Sequence, residues 1–387
     1  MEVDVTLDIK KGTGIIVFTS GKNMDRARKL VDITSSFSND IHVIVVNSTR
    51  NKFHNHMTAN NKKCSVILYE LTYKSGKNFL TRILRYFFAQ LWISLQIFKV
   101  HKKANFWIFD LGDELILPML VAKILQRKVV LIIGGSMEKE LAFKNDSLAK
   151  ILIPIKKINC NISDIIILYS KNLIKEWNLK RYINKISIAH RHYLDFNKFK
   201  IQKLLGDRER VVGYIGRLSE EKGILNFIQA IPKVLDKEDV HFMIVGNGTQ
   251  LDEIKYFINK NGLIGKVKIL CEAPHDDIPR YLNELKLLVL PSYTEGLPNI
   301  ILEAMACGTP VLATPIGAIP DIVKDFKTGF LLRNNSPECI AESIIKALHY
   351  TKLDEIVKNA LELVCKKFNY EVAVKKWEKI FLKILNC

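Results

Sequence analysis

Two cations and two carboxylates stand out by their type and spacing. Arg217 and Lys222 belong to the run Gly216-Arg217-Leu218-Ser219-Glu220-Glu221-Lys222-Gly223, directly after an apolar stretch at 211–215. A strand, a turn bounded by glycines and a helix start bring backbone N–H groups and both cations to one point. That combination suits a di-anionic phosphate: the guanidinium binds bidentately and the ammonium adds a point charge near a helix N-terminus. A solvated, charged turn has the same composition, so this run alone leaves both readings open. Glu295 lies within a second run, Pro291-Ser292-Tyr293-Thr294-Glu295-Gly296-Leu297-Pro298-Asn299, which leads into the helix that carries Glu303. Pro298 is expected at the first helical position, where its missing N–H costs nothing. Glu295 then falls in the loop ahead of the helix and Glu303 on its second turn. One carboxylate can accept from sugar hydroxyls and the other from a ribose. The backbone of Gly296, Leu297, Pro298 and Asn299 turns its free N–H groups toward any phosphate.

A third run, Val245-Gly246-Asn247-Gly248-Thr249, leads a strand into a helix through glycines. Gly246 and Asn247 there suit either a nucleotide or tight helix–sheet packing, and the spacing falls short of a dinucleotide fingerprint. His275-Asp276-Asp277 resembles a metal-ligand run but precedes a helical stretch at 278–285, so it is read as a helix cap. No tight Asp/His cluster points to a metal, and no cofactor is expected.

The elements that must position these residues follow a repeating pattern. Apolar runs at 15–19, 41–46, 65–68, 106–109, 129–133 and 164–169 read as strands, with helical stretches at 25–37, 79–100 and 114–126 between them. Continuous rather than alternating apolar strands imply a parallel sheet covered on both faces. Residues 195–210 are charged and suit a linker. The alternation restarts with strands at 211–215, 240–245, 267–270, 287–290 and 311–313, and helices at 222–235, 249–261, 298–306 and 337–350. The fold class is therefore α/β, with two Rossmann-like doubly wound domains facing a central cleft. The expected domains are 1–200, 201–365 and a final helical segment at 366–387.

Composition narrows the partners. Of 387 residues 48% are apolar, ample for full cores, and the formal charge is +18. Residues 1–200 hold 33 Lys/Arg against 16 Asp/Glu, whereas residues 201–387 hold 25 against 24. The surplus therefore sits in the first half, in groups such as Arg26, Arg28 and Lys29, Lys62 and Lys63, and Lys99, Lys102 and Lys103. Arg82 and Arg85 share a face of the apolar helix that also carries Phe87, Phe88, Leu91, Trp92 and Leu95. An anionic membrane surface is the expected partner of that half, unless these aromatics belong to the core. The uncharged portion of the helix, 86–98, is too short to span a bilayer. Nucleic acid is not expected, because no recognition helix, RNA-binding aromatic signature or zinc finger is present. Seven singly scattered cysteines read as reduced core residues. With a polar segment at 1–11, they point to a cytoplasmic location, peripheral at the inner face of the cell membrane.

The order GRLSEEKG, IVGNGTQLDEI, VLPSYTEGLPNIILEAMACGTPVLAT, GAIPDIV and TGFLL resembles the group-1 glycosyltransferases, retaining enzymes of the two-Rossmann GT-B class. The stretch at 188–199 (IAHRHYLDFNKF) is similar to the segment joining the two domains in that family. The resemblance implies a nucleotide-diphosphate sugar donor, UDP- or GDP-linked, held mainly by the second domain. It implies that Arg217 and Lys222 contact the diphosphate, that Glu295 orients the donor sugar and that Glu303 binds the ribose. It implies transfer of a hexose or N-acetylhexosamine, without a metal, to a glycan or lipid-linked saccharide in cell-surface polysaccharide or glycolipid synthesis. It also implies a final helix that crosses back onto the first domain. The first domain departs from the family pattern. Gly134-Gly135-Ser136 stands where many relatives carry a His, and Asp110-Leu111-Gly112-Asp113 where relatives show a His-rich strand end. Ser136 and Asp113 are the acceptor-side candidates, and Gly21 matches only in part a glycine loop near the donor phosphates. The alternatives are a non-catalytic nucleotide-sugar-binding partner subunit and a nucleotide-sugar epimerase on the same fold.

Overall fold

The computed structural model describes residues 12–19, 24–47, 64–73, 78–110, 114–135, 141, 143, 148–271 and 273–385. The chain forms two compact units, Met1–Tyr193 with Tyr370–Cys387, and Leu194–Asn369. The first contains β1 (Gly12–Thr19), α1 (Met24–Thr34), β2 (Asp40–Asn47), β3 (Ser65–Thr72), α2 (Phe79–Val100), β4 (Ala104–Asp110), α3 (Ile116–Ile124), β5 (Lys128–Ile133), α4 (Leu148–Ile162), β6 (Ile165–Leu168), α5 (Asn172–Glu176) and β7 (Ile186–Ile188). Its strands pair in the order β3-β2-β1-β4-β5-β6-β7, all in parallel. Ile15, Ile16, Ile108, Leu131 and Ile166 are fully buried, as befits strands covered on both faces. At the end of β4, Asp110 pairs with Arg191, and both side chains are buried. Burial opposes the charge on Arg191, but Asp110 and Tyr169 outweigh it and hold the guanidinium above its ordinary pKa.

The second unit contains β8 (Val211–Ile215), α6 (Ile224–Leu235), β9 (His241–Val245), α7 (Leu251–Lys260), β10 (Val267–Leu270), α8 (Ile278–Glu284), β11 (Leu287–Leu290), α9 (Asn299–Ala306), β12 (Val311–Ala313), α10 (Ile319–Ile322), β13 (Phe330–Leu331), α11 (Pro337–Leu348) and α12 (Leu353–Lys367). Its sheet runs β10-β9-β8-β11-β12-β13. In both sheets the chain starts at an interior strand, steps outward twice, then crosses to the other side. The neighbours β1 and β4, and β8 and β11, therefore flank the topological switch points, where loops at the carboxyl ends diverge and leave room for ligands.

Residues 195–210 are not a linker. Arg208 is buried, and its guanidinium donates to the carbonyls of Lys203, Leu282, Leu285 and Cys307 and to Thr309 Oγ1. Burial brings its pKa down to about 10. These bonds fasten the charged stretch to the second unit, which starts at Leu194 rather than 201. Among the described cysteines, Cys160, Cys307 and Cys339 are buried, whereas Cys64, Cys271 and Cys365 reach the surface. Among the described residues no helix is long and apolar enough to cross a membrane.

After a break at Phe368 and Asn369 the chain re-enters the first unit as α13 (Tyr370–Leu385). Trp377 is fully buried and its Nε1 donates to the His190 carbonyl at 3.2 Å. Phe381 packs on Phe37 and Phe106, with ring centroids 4.7 and 5.3 Å away. Tyr370 Oη donates to the Asp32 carbonyl at 2.9 Å. Trp377→Ala is expected to cost the first unit about 3–5 kcal/mol. Hydrogen exchange read by mass spectrometry should show β1 and β4 losing protection while β8 and β9 keep theirs.

Candidate active site

The second unit's switch point is built first from backbone. Beyond β8, Gly216 N–H donates to the Val245 carbonyl (2.9 Å) and Leu218 N–H to that of Asn247 (3.0 Å). Gly216 and Gly246 consequently lie backbone against backbone, with no room for a Cβ on Gly246. The Asn247 side chain turns back on its own loop, accepting from Gly248 N–H at 2.7 Å. Beneath Arg217, buried Tyr214 donates its hydroxyl to the Arg217 carbonyl at 2.7 Å. Burial first, then the charges of Glu295 and Glu221, push the Tyr214 pKa well up, which keeps the phenol a donor.

The expected helix start at Lys222 is instead a 3-10 turn, Glu220–Lys222, closed by Gly223 in the left-handed region (φ 64°). A Cβ at Gly223 would strike the Pro291 carbonyl, so the turn lies directly on the loop that follows β11. That contact presents Lys222 to Glu295: Nζ and Oε1 are 2.7 Å apart, and Ser292 Oγ donates to the same oxygen at 2.8 Å. The Lys222 and Glu295 side chains keep only 18% and 10% of their accessible surface, so the pair is poorly screened by water. Arg217 is half exposed and lies 3.3 Å from buried Glu221, whose carboxylate also accepts from Ser219.

The loop bearing Glu295 is held from further sides. Asn335 donates to the Pro291 and Ser292 carbonyls at 2.7 and 3.2 Å, and Asn226 donates to Tyr293 Oη at 2.6 Å. Ala318 N–H donates to the Gly296 carbonyl at 2.8 Å. Gly317 has φ 59°, and a Cβ there would run into the carbonyls of Glu295 and Gly296. Leu297 is buried under the loop. Pro298 is not the first helical residue. It caps α9 in extended conformation (φ −73°, ψ 121°), and Asn299 begins the helix. Proline's fixed φ suits either position, and the tight loop entry selects the extended ψ.

Glu303 lies apart from this ion pair, in a second cluster. Its side chain is buried on α9, and His275 Nε2 is 3.0 Å from its Oε1. Lys198 Nζ is 3.2 Å from His275 Nδ1 and 2.6 Å from Asp276 Oδ1. An ammonium only donates, so Nδ1 accepts and the ring proton sits on Nε2, directed at Glu303. The cap expected here does not form. His275–Asp277 is a 3-10 turn, and Asp277, helical in backbone at the N-cap of α8, makes no side-chain capping bond. Hydrogen bonding and the charge of Lys198 hold Asp276 below its usual pKa.

The structure thus joins Lys222 to Glu295, sets Gly216 against Gly246 and Asn247, and seats Arg217 and Glu303 on separate partners. Gly21, Asp113 and Ser136 lie outside the described residues. Sequence reasoning passed over Ser292, Glu221, Asn335 and Gly317, and read His275 as part of a helix cap. Ser292 and Gly317 stood inside quoted motifs, but Asn335 carries no signal before folding brings it under the loop. Among the described residues no group of three His, Cys, Asp or Glu side chains could hold a metal ion. A cavity of about 340 Å³ lined in part by Ile201, Leu204, Leu205, Gly308 and Val357 opens at the opposite, amino-terminal edge of the sheet, away from these groups. Gly317→Ala should cost about 1–3 kcal/mol through left-handed strain. Gly206→Ala, where a Cβ meets open space, should stay within about 0.5 kcal/mol. Urea unfolding of both variants checks the difference.

Residues 195–362 match the family model described as glycosyl transferases group 1. The chain is 28% identical over 187 residues to an uncharacterized glycosyltransferase of Methanocaldococcus jannaschii, covering 48% of each. It is 31% identical over 196 residues to the capsular polysaccharide biosynthesis glycosyltransferase CapM of Staphylococcus aureus, covering 49% of this chain and 50% of CapM. The chain spans about half the length of the curated relatives it matches. Over 95% of its length it superposes on 98% of Anabaena HepE, solved in complex with UDP and glucose, with a TM-score of 0.71 at 18% identity. At that identity the likeness is one of fold, the GT-B fold of two parallel-sheet α/β domains.

Proposed function

We propose, from a segment 195–362 that belongs to the group 1 glycosyl transferases, that the chain is a retaining glycosyltransferase. It moves a hexose or N-acetylhexosamine from a UDP- or GDP-sugar to a glycan or lipid-linked saccharide in cell-surface polysaccharide or glycolipid synthesis. The observation that carries the reading is the Lys222–Glu295 pair at the switch point, with Ser292 on the same carboxylate oxygen. The pair holds a cation and an acceptor of sugar hydroxyls side by side, as a glycosyl diphosphate requires. In this reading Lys222 and Arg217 take the diphosphate, Glu295 takes sugar hydroxyls, and Glu303, oriented by His275, takes the ribose. Gly216, Gly246 and Asn247 offer close backbone to the donor, as does the segment from Gly296 through Leu297 and Pro298 to Asn299.

The bond from the anomeric carbon to the diphosphate breaks, and a bond from the acceptor oxygen forms on the same face. The acceptor proton leaves with the departing nucleoside diphosphate. Positive charge from Lys222 and Arg217 stabilises that leaving group, so the scheme invokes no metal. The basic first half of the chain meets an anionic membrane surface, where a lipid-linked acceptor resides, and the enzyme works as a peripheral cytoplasmic protein. HepE, solved with UDP and glucose, supports a donor of this class.

A melting screen against UDP-, GDP- and ADP-sugars should pick out one nucleotide, because a bound donor raises the transition by mass action. With that donor, Lys222→Ala and Glu295→Ala are each expected to lower transfer about 100–1000-fold, read as nucleoside diphosphate release. Full activity in either variant overturns the assignment. Tight donor binding without turnover in the unaltered chain assigns it to a non-catalytic partner subunit instead.

A further inference from the structure

Glu303 is a buried carboxylate that the chain itself leaves half-used. Its side chain keeps 4% of its surface. Among the described residues His275 is the one group hydrogen-bonded to it, Nε2 lying 3.0 Å from Oε1. A carboxylate has about four acceptor positions, and burying one is costly unless donors reach them. Glu303 sits on the second turn of α9, just past the carboxyl end of β11, and His275 follows the carboxyl end of β10. Both therefore lie on the ligand side of the sheet. The second carboxylate oxygen suits a neutral ligand that brings hydroxyl donors.

The imidazole is held from behind. Lys198 Nζ lies 3.2 Å from Nδ1, and Asp276 Oδ1 holds the same ammonium at 2.6 Å. An ammonium only donates, so Nδ1 accepts and Nε2 carries the proton directed at Glu303. The Phe199 ring meets the imidazole edge to face, with centroids 5.6 Å apart, and restrains its plane. Asp195 places both neighbours: its carbonyl accepts from the N–H groups of Lys198 and Phe199 at 3.2 and 2.8 Å, and its carboxylate accepts from Asn197 N–H at 2.9 Å. Asn283 of α8 accepts from Gln202 N–H at 2.7 Å, tying this stretch to the helix that His275 precedes. The His275 side chain keeps 53% of its surface, so the ring adds little to the core. What the surroundings fix is the direction of its N–H.

On the reading that Glu303 takes the donor's ribose, we infer that His275 and Lys198 are positioning residues that aim the carboxylate at the 2′-hydroxyl, and that they set a preference for ribonucleotides over 2′-deoxyribonucleotides. The Nε2–H bond stops the carboxylate from rotating and presents its other oxygen to the sugar. The 2′-hydroxyl donates a charge-assisted hydrogen bond to that oxygen, which a 2′-deoxy sugar cannot do.

Calorimetric titration of the full chain with UDP and 2′-deoxy-UDP tests this (GDP and 2′-deoxy-GDP if the melting screen selects guanosine). The unaltered chain is expected to bind the ribonucleotide at least about tenfold tighter. His275→Ala and Lys198→Met should each weaken the ribonucleotide by about three- to tenfold and leave the deoxynucleotide unchanged. His275→Gln should restore the preference, because its amide carbonyl accepts from Lys198 and its amide N–H donates to Glu303. His349→Ala removes another exposed histidine bonded to a carboxylate, that of Glu238, and is expected to keep the full preference. In turnover, His275→Ala should raise the donor KM and hold kcat within about twofold. An unchanged preference in His275→Ala or Lys198→Met overturns the inference. Equal weakening of both nucleotides, or no rescue by glutamine, overturns it too, since either marks a merely structural role. Glu303→Ala separates the inference from the reading beneath it. Preference lost in Glu303→Ala but kept in His275→Ala overturns the inference alone. Preference kept in Glu303→Ala, no preference in the unaltered chain, or no nucleotide bound at all overturns both.

Discussion

The loop that carries Glu295 is gripped between two glycine backbones, and the geometry of the second unit's site follows from that grip. Gly223 lies on the Pro291 carbonyl at one end, and Gly317 lies on the carbonyls of Glu295 and Gly296 at the other. Any side chain at either position would push the loop away. With the loop fixed, Lys222 and Glu295 meet at 2.7 Å although 73 positions separate them in sequence. Ser292 and Asn335 then complete the bonds around the loop. A binding group held by backbone contact rather than by long side chains meets its ligand with little left to reorganise.

Much of this was legible in the residues. The strands are short, continuous runs of Val, Ile and Leu because both of their faces are buried. The glycines and prolines after β8 and β11 mark where the chain must turn sharply. What the sequence did not disclose depends on contact between distant segments. Pro298 suits either side of a helix boundary, and only the loop's entry angle fixed it at the cap. His275 and Asp276 read as a helix cap until Lys198, far upstream, sets the imidazole tautomer and directs it at Glu303. Arg208 reads as one charge in a polar linker, yet it is a buried hub, because five oxygen acceptors converge there only after folding.

The two units solve different physical problems with one topology. The second is nearly neutral, and at its site Lys222, Arg217 and Glu303 are each placed against a named partner. The first carries the surplus of cations and leaves one helical layer apolar at its surface. Among the described residues, eight large apolar side chains of α2 are exposed.

The return of α13 to the first unit has a consequence for biosynthesis. The core around Phe37, Phe106 and Trp377 lacks its closing layer until residues beyond Tyr370 have left the ribosome. By then every residue of the second unit has already been made. The unit that is translated second is therefore the first free to fold to completion, while the earlier one waits with an open apolar groove. Chaperone dependence during translation should concentrate on that waiting groove, and a stalled ribosome would release a chain whose early half is still unfinished.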